Sequence, residues 1–446
     1  MRTPICDFVR AYAASGTARL HMPGHKGASV LGVEHLDITE IAGADSLYEA
    51  DGIIAESERN ASELFGANTF YSTEGSSQCI RAMLYLALLH ARAQGITRPR
   101  IAAGRNAHKT FLSAVALLDL DVIWLTPANA ESYLSCAVTA QDVARCIEAE
   151  HPDALYLTCP DYLGNTVDIR AIAEVCHAHG VLLLVDNAHG AYLKFLSPSR
   201  HPMDLGADMC CDSAHKTLPV LTGGAYLHLS HRAPASLAEN AKRALAMFGS
   251  TSPSYLILQS LDAANAALSG EYPAAISALS ARVAALRDDL TACGYTCVGD
   301  EPIKLTLCPK PYGYTGTALA QYMREQGIEC EFADPDYLVL MLTPATPEAD
   351  ICRLTDVLRA LPRRATITER PPRMSLPKAV MSVREAAFSP CETVPAAESL
   401  GRILAAATVG CPPAVPIVVS GERIDEDAVA QFAYYGIETC AVVRER

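Results

Sequence analysis

The sequence is short of positive charge. It carries 36 Lys and Arg against 50 Asp and Glu, which gives a formal net charge of −14. A protein that binds nucleic acid neutralises backbone phosphates with Lys and Arg, so this balance argues against a nucleic-acid partner. An acidic surface instead favours the approach of a cationic small molecule.

Long apolar runs and zinc-type cysteine patterns are also missing. Aspartates such as Asp119, Asp121 and Asp186 interrupt the most apolar stretches well short of the ~20 residues of a membrane helix. The N-terminal segment has early charges and no continuous apolar core, so it does not resemble a signal peptide. The 16 cysteines are scattered, without CxxC or Cys/His zinc spacing. We therefore expect a cytoplasmic protein with free thiols, no membrane partner and no metal site.

The pattern that is present is an alternation of short apolar strands with helices. Half of the residues are hydrophobic and 19% are charged, which is typical of a compact folded enzyme. Repeated strand–helix units predict an α/β fold with a mostly parallel sheet covered by helices on both faces. The predicted strands are 100–103, 121–125, 154–158 and 181–185, and the predicted helices are 76–93, 139–150 and 168–179.

The chain is long enough for two or three domains. We expect an N-terminal arm and large domain over residues 1–255 and a smaller α/β domain over 256–370. A link rich in proline and arginine then leads to a third domain over 374–446.

Asp186 and Lys216 are the residues around which the chain is organised. Each follows a short apolar strand, 181–185 and 208–212, and ligand chemistry in α/β sheets lies beyond the carboxyl ends of the strands. Pyridoxal phosphate (PLP) needs this pair, because a lysine binds its aldehyde and an acid keeps its pyridine nitrogen protonated. Separately, Asp186 is explained as a helix cap and Lys216 as a surface lysine. Together with Ser213 and His215 they indicate a cofactor site.

The segment STEGSSQ, residues 72–78, is a candidate phosphate cradle. Gly75 allows close approach of the backbone, Ser76 and Ser77 supply hydroxyls, and the start of the predicted helix supplies N–H groups and a positive dipole end. The alternative is an ordinary serine N-cap.

His108 lies where a strand leads into the next helix, in the motif RNAHKTF. An imidazole at that point either stacks on an aromatic ring or caps the helix. Further upstream, the loop HMPGHKG carries His21, His25 and Lys26, and it is either a cationic loop with a function or a solvated turn.

These motifs in this order resemble the Orn/Lys/Arg decarboxylases, a family of fold type I PLP enzymes. The similar N-terminal segments are HMPGHKG, DSLYEADGIIAESE, STEGSSQ, RNAHKTF, VDNAHGAY and SAHKTL. The C-terminal segments MSVREAAFSPCETVPAAESLGRILA and CPPAVPIVVSGERI resemble the family's C-terminal domain. The chain is similar to the short bacterial form, without the receiver-like domain of the acid-inducible enzymes. The resemblance implies an aminotransferase-like large domain, a smaller α/β domain and a C-terminal decarboxylase domain.

The resemblance also implies roles for single residues around PLP. Lys216 would bind the cofactor covalently, Asp186 would pair with the pyridine nitrogen, and His215 would lie beside the reacting centre. The remaining implied contacts are Ala188 beneath the ring, His189 nearby, His108 on the opposite face, and Ser76, Ser77, Ser213 and the Gly75 backbone at the phosphate.

This chain departs from the family pattern at a few positions. The family commonly has Glu where this chain has Asn187, and His where it has Tyr192. A usual Tyr-Pro-Pro begins here with Cys411, and a usual Pro-Gly-Glu begins with Ser420. Since the cofactor residues are intact, these departures bear on substrate choice and on C-terminal contacts.

The implied reaction is α-decarboxylation of a basic L-amino acid to a polyamine-type amine and CO₂, with arginine slightly preferred over lysine or ornithine. The alternatives are another fold type I enzyme, such as an aminotransferase or aldolase, and a homologue without turnover. The candidates for the acid that meets the distal cation are Glu422, Asp45, Asp51 and Glu56, on this chain or a neighbouring subunit. Fold type I enzymes usually complete their sites across a dimer interface, so the resemblance implies a homodimer or a higher homo-oligomer.

Overall fold

The structure is a computed structural model that describes residues 1–125, 132–374, 376–406 and 413–445. Within these ranges no helix is long and apolar enough to cross a membrane. All cysteines in the same ranges have free thiols, as the sequence predicts.

The strands of the described chain are short, and most of them alternate with helices. They are β1 (Asn68–Ser72), β2 (Arg100–Gly104), β3 (Asp121–Leu125), β4 (Ala154–Thr158), β5 (Leu182–Asp186), β6 (Met209–Asp212), β7 (Ala225–Leu229), β8 (Thr296–Val298), β9 (Lys304–Cys308), β10 (Phe332–Ala333), β11 (Leu338–Met341), β12 (Cys391–Pro395), β13 (Leu404–Ala406) and β14 (Thr439–Val443).

The helices range from single turns to long amphipathic segments. They are α1 (Pro4–Ala14), α2 (Ile53–Phe65), α3 (Gly75–Ala93), α4 (Lys109–Leu118), α5 (Ala140–Glu150), α6 (Ile169–Ala178), α7 (Pro202–Leu205), α8 (Ala214–Thr217), α9 (Ala235–Glu239), α10 (Ala241–Ala246), α11 (Tyr255–Leu268), α12 (Tyr272–Ala292), α13 (Gly316–Glu325), α14 (Glu348–Ala360), α15 (Val383–Ala387) and α16 (Glu426–Tyr434).

Seven strands form the main sheet, in the order β1-β7-β6-β5-β4-β2-β3. β5 pairs with β6 in parallel and β2 pairs with β3 in parallel, as the strand–helix alternation predicts. β7 runs antiparallel to both of its neighbours, β6 and β1. The sheet is therefore mostly parallel with one reversed strand.

Strands β5, β6 and β7 lie in the interior because they are rich in apolar residues. Every residue of the three strands is buried. Parallel strands covered on both faces read as continuous apolar runs rather than as alternating ones, and LLLV in β5 has that pattern. In β5 and β6 the acidic residues lie only at the carboxyl ends, at Asp186 and Asp212, whereas β7 carries His228 within the strand.

The chain divides into two compact units that do not follow its linear order. Unit 1 comprises residues 1–99, 153–156 and 169–277, and unit 2 comprises residues 100–152, 157–168 and 278–446. The predicted domain boundaries at 255 and 370–374 stay a prediction.

Unit 2 contains two further antiparallel sheets. One has the order β10-β11-β9-β8, and the other has the order β12-β14-β13. A core of buried apolar residues joins the second sheet to α16, with Leu404, Phe432 and Val442 among its members.

Candidate active site

The ends of β5 and β6 bring Lys216 and His189 together. Asp186 is in register with Cys211 in this parallel pair, so the residues that follow the two strands lie at the same edge of the sheet. Lys216 Nζ and His189 Nε2 are 3.0 Å apart. His189 is buried and Lys216 is half-buried. The lysine amine is thus held in place by a buried partner, and the lysine itself is not fully buried.

Asp186 is a buried carboxylate with several donors around it. The Tyr156 hydroxyl donates to Oδ2 at 2.9 Å, and the Ala188 N–H donates to Oδ1 at 3.2 Å. The Cys211 thiol lies 3.6 Å from Oδ1. These contacts fix the orientation of the carboxylate. Sequence reasoning missed Tyr156, because nothing local distinguishes it from the other buried residues of β4.

The residues of the predicted phosphate cradle lie at the start of α3. Ser213, which follows β6, donates its hydroxyl to the Ser76 hydroxyl at 2.7 Å. Ser76 and Ser77 are half-buried in the first turn of this 19-residue helix. Two segments separated by more than a hundred residues thus place hydroxyl groups beside one helix N-terminus, where backbone N–H groups and the helix dipole attract an anion.

Gly75 contributes differently from the prediction. Its N–H is not available to a ligand, because it donates to the Gly223 carbonyl at 2.7 Å. Its φ of +72° lies in the left-handed region that favours glycine, and an added Cβ would meet no atom within 4 Å. Gly75 therefore supplies the turn and an open approach to the start of the helix.

His215 is held in one tautomer by a backbone carbonyl. Its Nδ1 is 3.1 Å from the Gly224 carbonyl oxygen, which only accepts, so Nδ1 carries the hydrogen. In the neutral ring Nε2 is then the basic nitrogen. This arrangement suits a group that exchanges a proton through Nε2.

His108 caps α4 in unit 2. Its Nδ1 accepts the Thr110 N–H at 3.1 Å and lies 2.9 Å from the Thr110 hydroxyl. The capping alternative is therefore observed. The stacking role that the resemblance implies stays a prediction.

The family described as Orn/Lys/Arg decarboxylase matches most of the sequence, its major domain at residues 3–290 and its C-terminal domain at residues 366–439. The chain belongs to the Orn/Lys/Arg decarboxylase family. It is 31% identical over 465 residues to an arginine decarboxylase of Halalkalibacterium halodurans, a match that covers 96% of this chain and 92% of that protein. An arginine decarboxylase of Bacillus subtilis is 29% identical over 464 residues, with the same two coverages.

Solved decarboxylases of the family share the fold. The lysine decarboxylase of Francisella novicida matches with a TM-score of 0.80 at 17% identity, over 99% of this chain and 81% of that chain. Lysine decarboxylase A from Pseudomonas aeruginosa matches with a TM-score of 0.78 at 20% identity, over 97% and 75%. An alanine–glyoxylate aminotransferase from Nostoc matches at 0.55 and 16% identity, over 69% and 86%.

These similarities confirm three predictions. The fold is of the fold type I α/β class, the protein is a decarboxylase, and its reaction is decarboxylation of a basic amino acid. The family and its fold type I neighbours also imply dependence on PLP.

Asn187, one departure from the family pattern, belongs to a buried network. It donates to Asp212 Oδ1 at 2.6 Å. His201 Nε2 and His228 Nε2 lie 3.0 and 3.1 Å from Asp212 Oδ2. Burial alone would raise the pKa of Asp212, but the two imidazoles outweigh it and hold that pKa well below its ordinary value. The network fixes Asn187, the neighbour of Asp186 in sequence.

His201, Asp212 and Cys210 also place possible ligand atoms within 4.8 Å of one another. The imidazole–carboxylate contact of this trio is already explained by a hydrogen bond, so we infer no metal there. Tyr192 is fully buried and Ser420 is nearly so. Cys411 and Pro412, in the remaining departure, lie outside the described residues.

Two of the four acids proposed to meet a substrate cation have other partners. Glu422 is buried and binds Arg105 Nη2 at 3.1 Å. Burial raises the pKa of Glu422, and Arg105 opposes that rise. Asp45 accepts backbone N–H groups at the start of α2, among them Gly52 and Ile54. Asp51 is exposed and Glu56 is half-buried, so these two are the better candidates.

Proposed function

We propose that this decarboxylase acts on L-arginine in preference to lysine or ornithine, with PLP bound at Lys216. The observation that carries the proposal is the amine of Lys216, 3.0 Å from His189, on the turn that follows β6. Arginine is favoured because the two relatives described above, which match over nearly the whole chain, are named arginine decarboxylases.

The residues of unit 1 suit PLP. A primary amine, a fixed carboxylate and a hydroxyl-lined helix N-terminus correspond to its aldehyde, its pyridine nitrogen and its phosphate. The open space over Gly75 supports the assignment, since a side chain there would narrow the approach to the helix N-terminus. When bound, PLP supplies an electron sink for the electron pair left at Cα by CO₂ loss.

Each residue has a separate task in this proposal. Asp186, oriented by Tyr156, keeps the pyridine nitrogen protonated, because a nearby carboxylate favours the cationic form. Ser76, Ser77 and Ser213 hold the phosphate. Lys216 would hold the aldehyde of PLP, and His189 would accept a hydrogen bond from the Lys216 amine.

A proton must then be delivered to Cα. Lys216 and His215 are the two candidates, and both lie on the single turn α8. Because Nδ1 of His215 is committed to the Gly224 carbonyl, its Nε2 is the atom that would carry the proton.

An absorption spectrum followed by product analysis tests the proposal. The purified protein supplied with PLP should show a band near the visible edge that borohydride removes. Incubation with arginine, lysine and ornithine separately should release CO₂ and the matching amine, fastest with arginine. A band with keto-acid formation in place of CO₂ would indicate an aminotransferase. Absence of the band in wild type, or its persistence in Lys216→Ala, would contradict the cofactor assignment.

Glu56 and Asp51 can be tested as the acids that meet the distal cation. Glu56→Gln and Asp51→Asn remove a charge and keep the shape of the side chain. Loss of a charge-assisted contact should raise KM for arginine about tenfold or more, with a smaller change in kcat. Glu63→Gln, an exposed position on the same helix as Glu56, is the matched control. Equal KM values in all three variants would exclude both candidates.

The predicted homodimer and the cytoplasmic location belong to the same proposal. Light scattering of the PLP-loaded protein should give twice the 47.6 kDa of one chain, or a higher even multiple. A monomer with full activity would contradict a site shared between subunits.

A further inference from the structure

A cavity of about 390 Å³ lies within unit 2 and is unrelated to any predicted motif. It opens between the turn after β10 and the end of α16. Its lining includes Tyr133, Phe332, Asp334, Tyr434 and Tyr435. A volume of this size, with apolar and aromatic walls and a few polar groups, is typical of a site for a small molecule.

One polar group in the lining of this cavity, the carboxylate of Asp334, has an oxygen without a hydrogen-bond partner among the described residues. It is 6% exposed. Its Oδ1 accepts the N–H groups of Asp336 and Tyr337 at 2.8 and 2.7 Å. Its Oδ2 is buried and has no hydrogen-bond partner among the described residues. A buried carboxylate oxygen in this situation is costly unless a donor reaches it.

Lys310 lowers the pKa of Asp334, but this lysine is paired directly with a second aspartate. Asp336 is neutralised by Lys310, whose Nζ lies 2.7 Å from Oδ1. Asp336 Oδ1 also accepts the Tyr434 hydroxyl at 2.8 Å, and the Tyr435 hydroxyl lies 3.3 Å from Oδ2. With Lys310 and Asp336 cancelling, the polar wall carries a net charge of about −1 when Asp334 is ionised.

The protonation states around the cavity follow from burial. Burial raises the pKa of Asp334 to about 6. It also raises the pKa of Tyr434 to about 12, and those of Tyr133 and Tyr435 further still, so the phenols stay neutral. Asp334 is therefore a lining residue whose charge changes between about pH 5 and pH 7.

The aromatic rings favour one class of occupant. The rings of Tyr133 and Tyr435 are 4.8 Å apart, and those of Tyr434 and Tyr435 are 5.0 Å apart. Aromatic faces attract organic cations, whereas a hard metal ion requires several oxygen ligands. A carboxylate on the ligand would be repelled by Asp334.

We propose that this cavity binds a small organic cation, an alkylammonium or alkylguanidinium without a carboxylate, through Asp334 and the surrounding tyrosines. The proposal concerns unit 2 alone and does not depend on catalysis. An amine of the kind that the family's reaction releases has the required chemistry.

Calorimetry with methylguanidinium tests the site in the PLP-loaded protein, because this probe has no primary amine to react with the cofactor. Asp334→Asn should weaken one binding event about tenfold or more, since it removes the charge and preserves the Oδ1 acceptor. Asp350→Asn, the same change at an exposed position of α14, should leave binding unchanged. Unchanged binding by Asp334→Asn, or no binding by wild type, would overturn the proposal.

A second variant and a pH series keep the test independent of folding defects in Asp334→Asn. Ala333→Leu fills the cavity and leaves Asp334 in place, and it should also abolish that binding event. In the wild type, affinity should fall about tenfold between about pH 7.5 and 5 as Asp334 is protonated. Retained binding in Ala333→Leu, or a flat pH profile for that event, would contradict the assignment.

Competition experiments identify the natural class of occupant. Agmatine should displace methylguanidinium from this site. Arginine, measured in Lys216→Ala protein so that it is not consumed, should displace it poorly because of its carboxylate. Equal displacement by both would overturn the claim that the site rejects carboxylates. This experiment reads binding at Asp334, so its outcome is separate from that of the test for turnover.

Discussion

Asp212 in unit 1 and Asp334 in unit 2 are both buried aspartates with opposite electrostatics. Asp212 meets an amide and two imidazoles, and its pKa is held well below its ordinary value. Among the described residues, Asp334 accepts two backbone N–H groups through one oxygen and none through the other, and burial raises its pKa to about 6. Burial is common to both, so the difference lies in the partners. Both carboxylate oxygens of Asp212 have hydrogen-bond partners within the protein. Oδ2 of Asp334 has none among the described residues, and this difference is the basis of the proposed cation site.

Asp186 is a third buried aspartate, and its removal should have the largest effect if it has the proposed catalytic role. Asp186→Asn keeps the shape and replaces the carboxylate that is proposed to keep the pyridine nitrogen protonated. We expect turnover to fall by about 10²- to 10⁴-fold, the range of a lost proton-handling group. Steady-state kinetics with arginine measures this, and thermal unfolding confirms that the fold persists. A loss of less than tenfold would reduce Asp186 to a structural aspartate like Asp212.

Removal of Asp212 should mainly destabilise the protein. Asp212→Ala leaves His201, His228 and Asn187 without their buried acceptor, and we expect the free energy of unfolding to fall by about 3 kcal/mol or more. Urea unfolding measures it, with Cys176→Ala, at a buried position of α6, as the control. In the wild type, the low pKa means that this contribution is present above about pH 4 and is lost only at more acid pH. If the free energy of unfolding changed by less than about 1 kcal/mol, Asp212 would not be the stabilising aspartate that we contrast with Asp334.

Removal of the Asp334 charge should raise the free energy of unfolding, whereas removal of Asp212 should lower it. Because its pKa rises from 3.8 to about 6, the ionised side chain opposes folding above about pH 6. That penalty is relieved as the pH falls from about 6 to 4, where the folded state takes up a proton and the unfolded chain does not. Asp334→Asn should therefore raise stability by about 1–3 kcal/mol at neutral pH and by little near pH 4.

Urea unfolding of Asp334→Asn at both pH values checks this sign, with Asp350→Asn as the neutral control. A variant that is less stable than the wild type at neutral pH would show that Asp334 has a partner in solution. The same protein samples serve for calorimetry, so gain of stability and loss of cation binding can be compared directly.

Tyr156→Phe should have the smallest effect. It removes one hydrogen bond from Asp186 and leaves the Ala188 N–H and the Cys211 thiol. A single neutral hydrogen bond contributes about 1 kcal/mol, so we expect turnover to fall by about fivefold to tenfold. If Tyr156 positions Asp186, Tyr156→Phe should also shift the pH dependence of the cofactor band. A general loss of stability would not produce that shift. An unchanged band and rate would show that Asp186 does not need Tyr156.

The strands and the start of α3 were the most predictable parts of this fold. The apolar run before Asp186 and the short strand before Lys216 predict two strands of a mostly parallel sheet, and the structure pairs them in parallel. The helix predicted over 76–93 is observed as α3 and begins one residue earlier, at Gly75. These features are local, because strand periodicity and helix starts depend on a few consecutive residues.

Pairings between distant segments were not predictable. Tyr156 reaches Asp186 across 30 positions, and His228 reaches Asp212 across 16. Glu422 was a candidate for substrate contact and instead binds Arg105, 317 positions away. A carboxylate reads the same in sequence whether its partner is a substrate or another side chain, so only its surroundings distinguish the two.

The sequence by itself determined the strand–helix alternation, the lysine and aspartate beyond two buried strands, and the family to which the chain belongs. The tertiary structure decided which polar groups are already satisfied. The Gly75 N–H, Asp45 and Glu422 each have a partner within the protein. Asp334 has one oxygen without a donor among the described residues. The physical reason is the distance along the chain over which each kind of interaction acts. Periodicity and caps act over a few residues, whereas burial and hydrogen-bond partners depend on segments that meet only after the chain has folded.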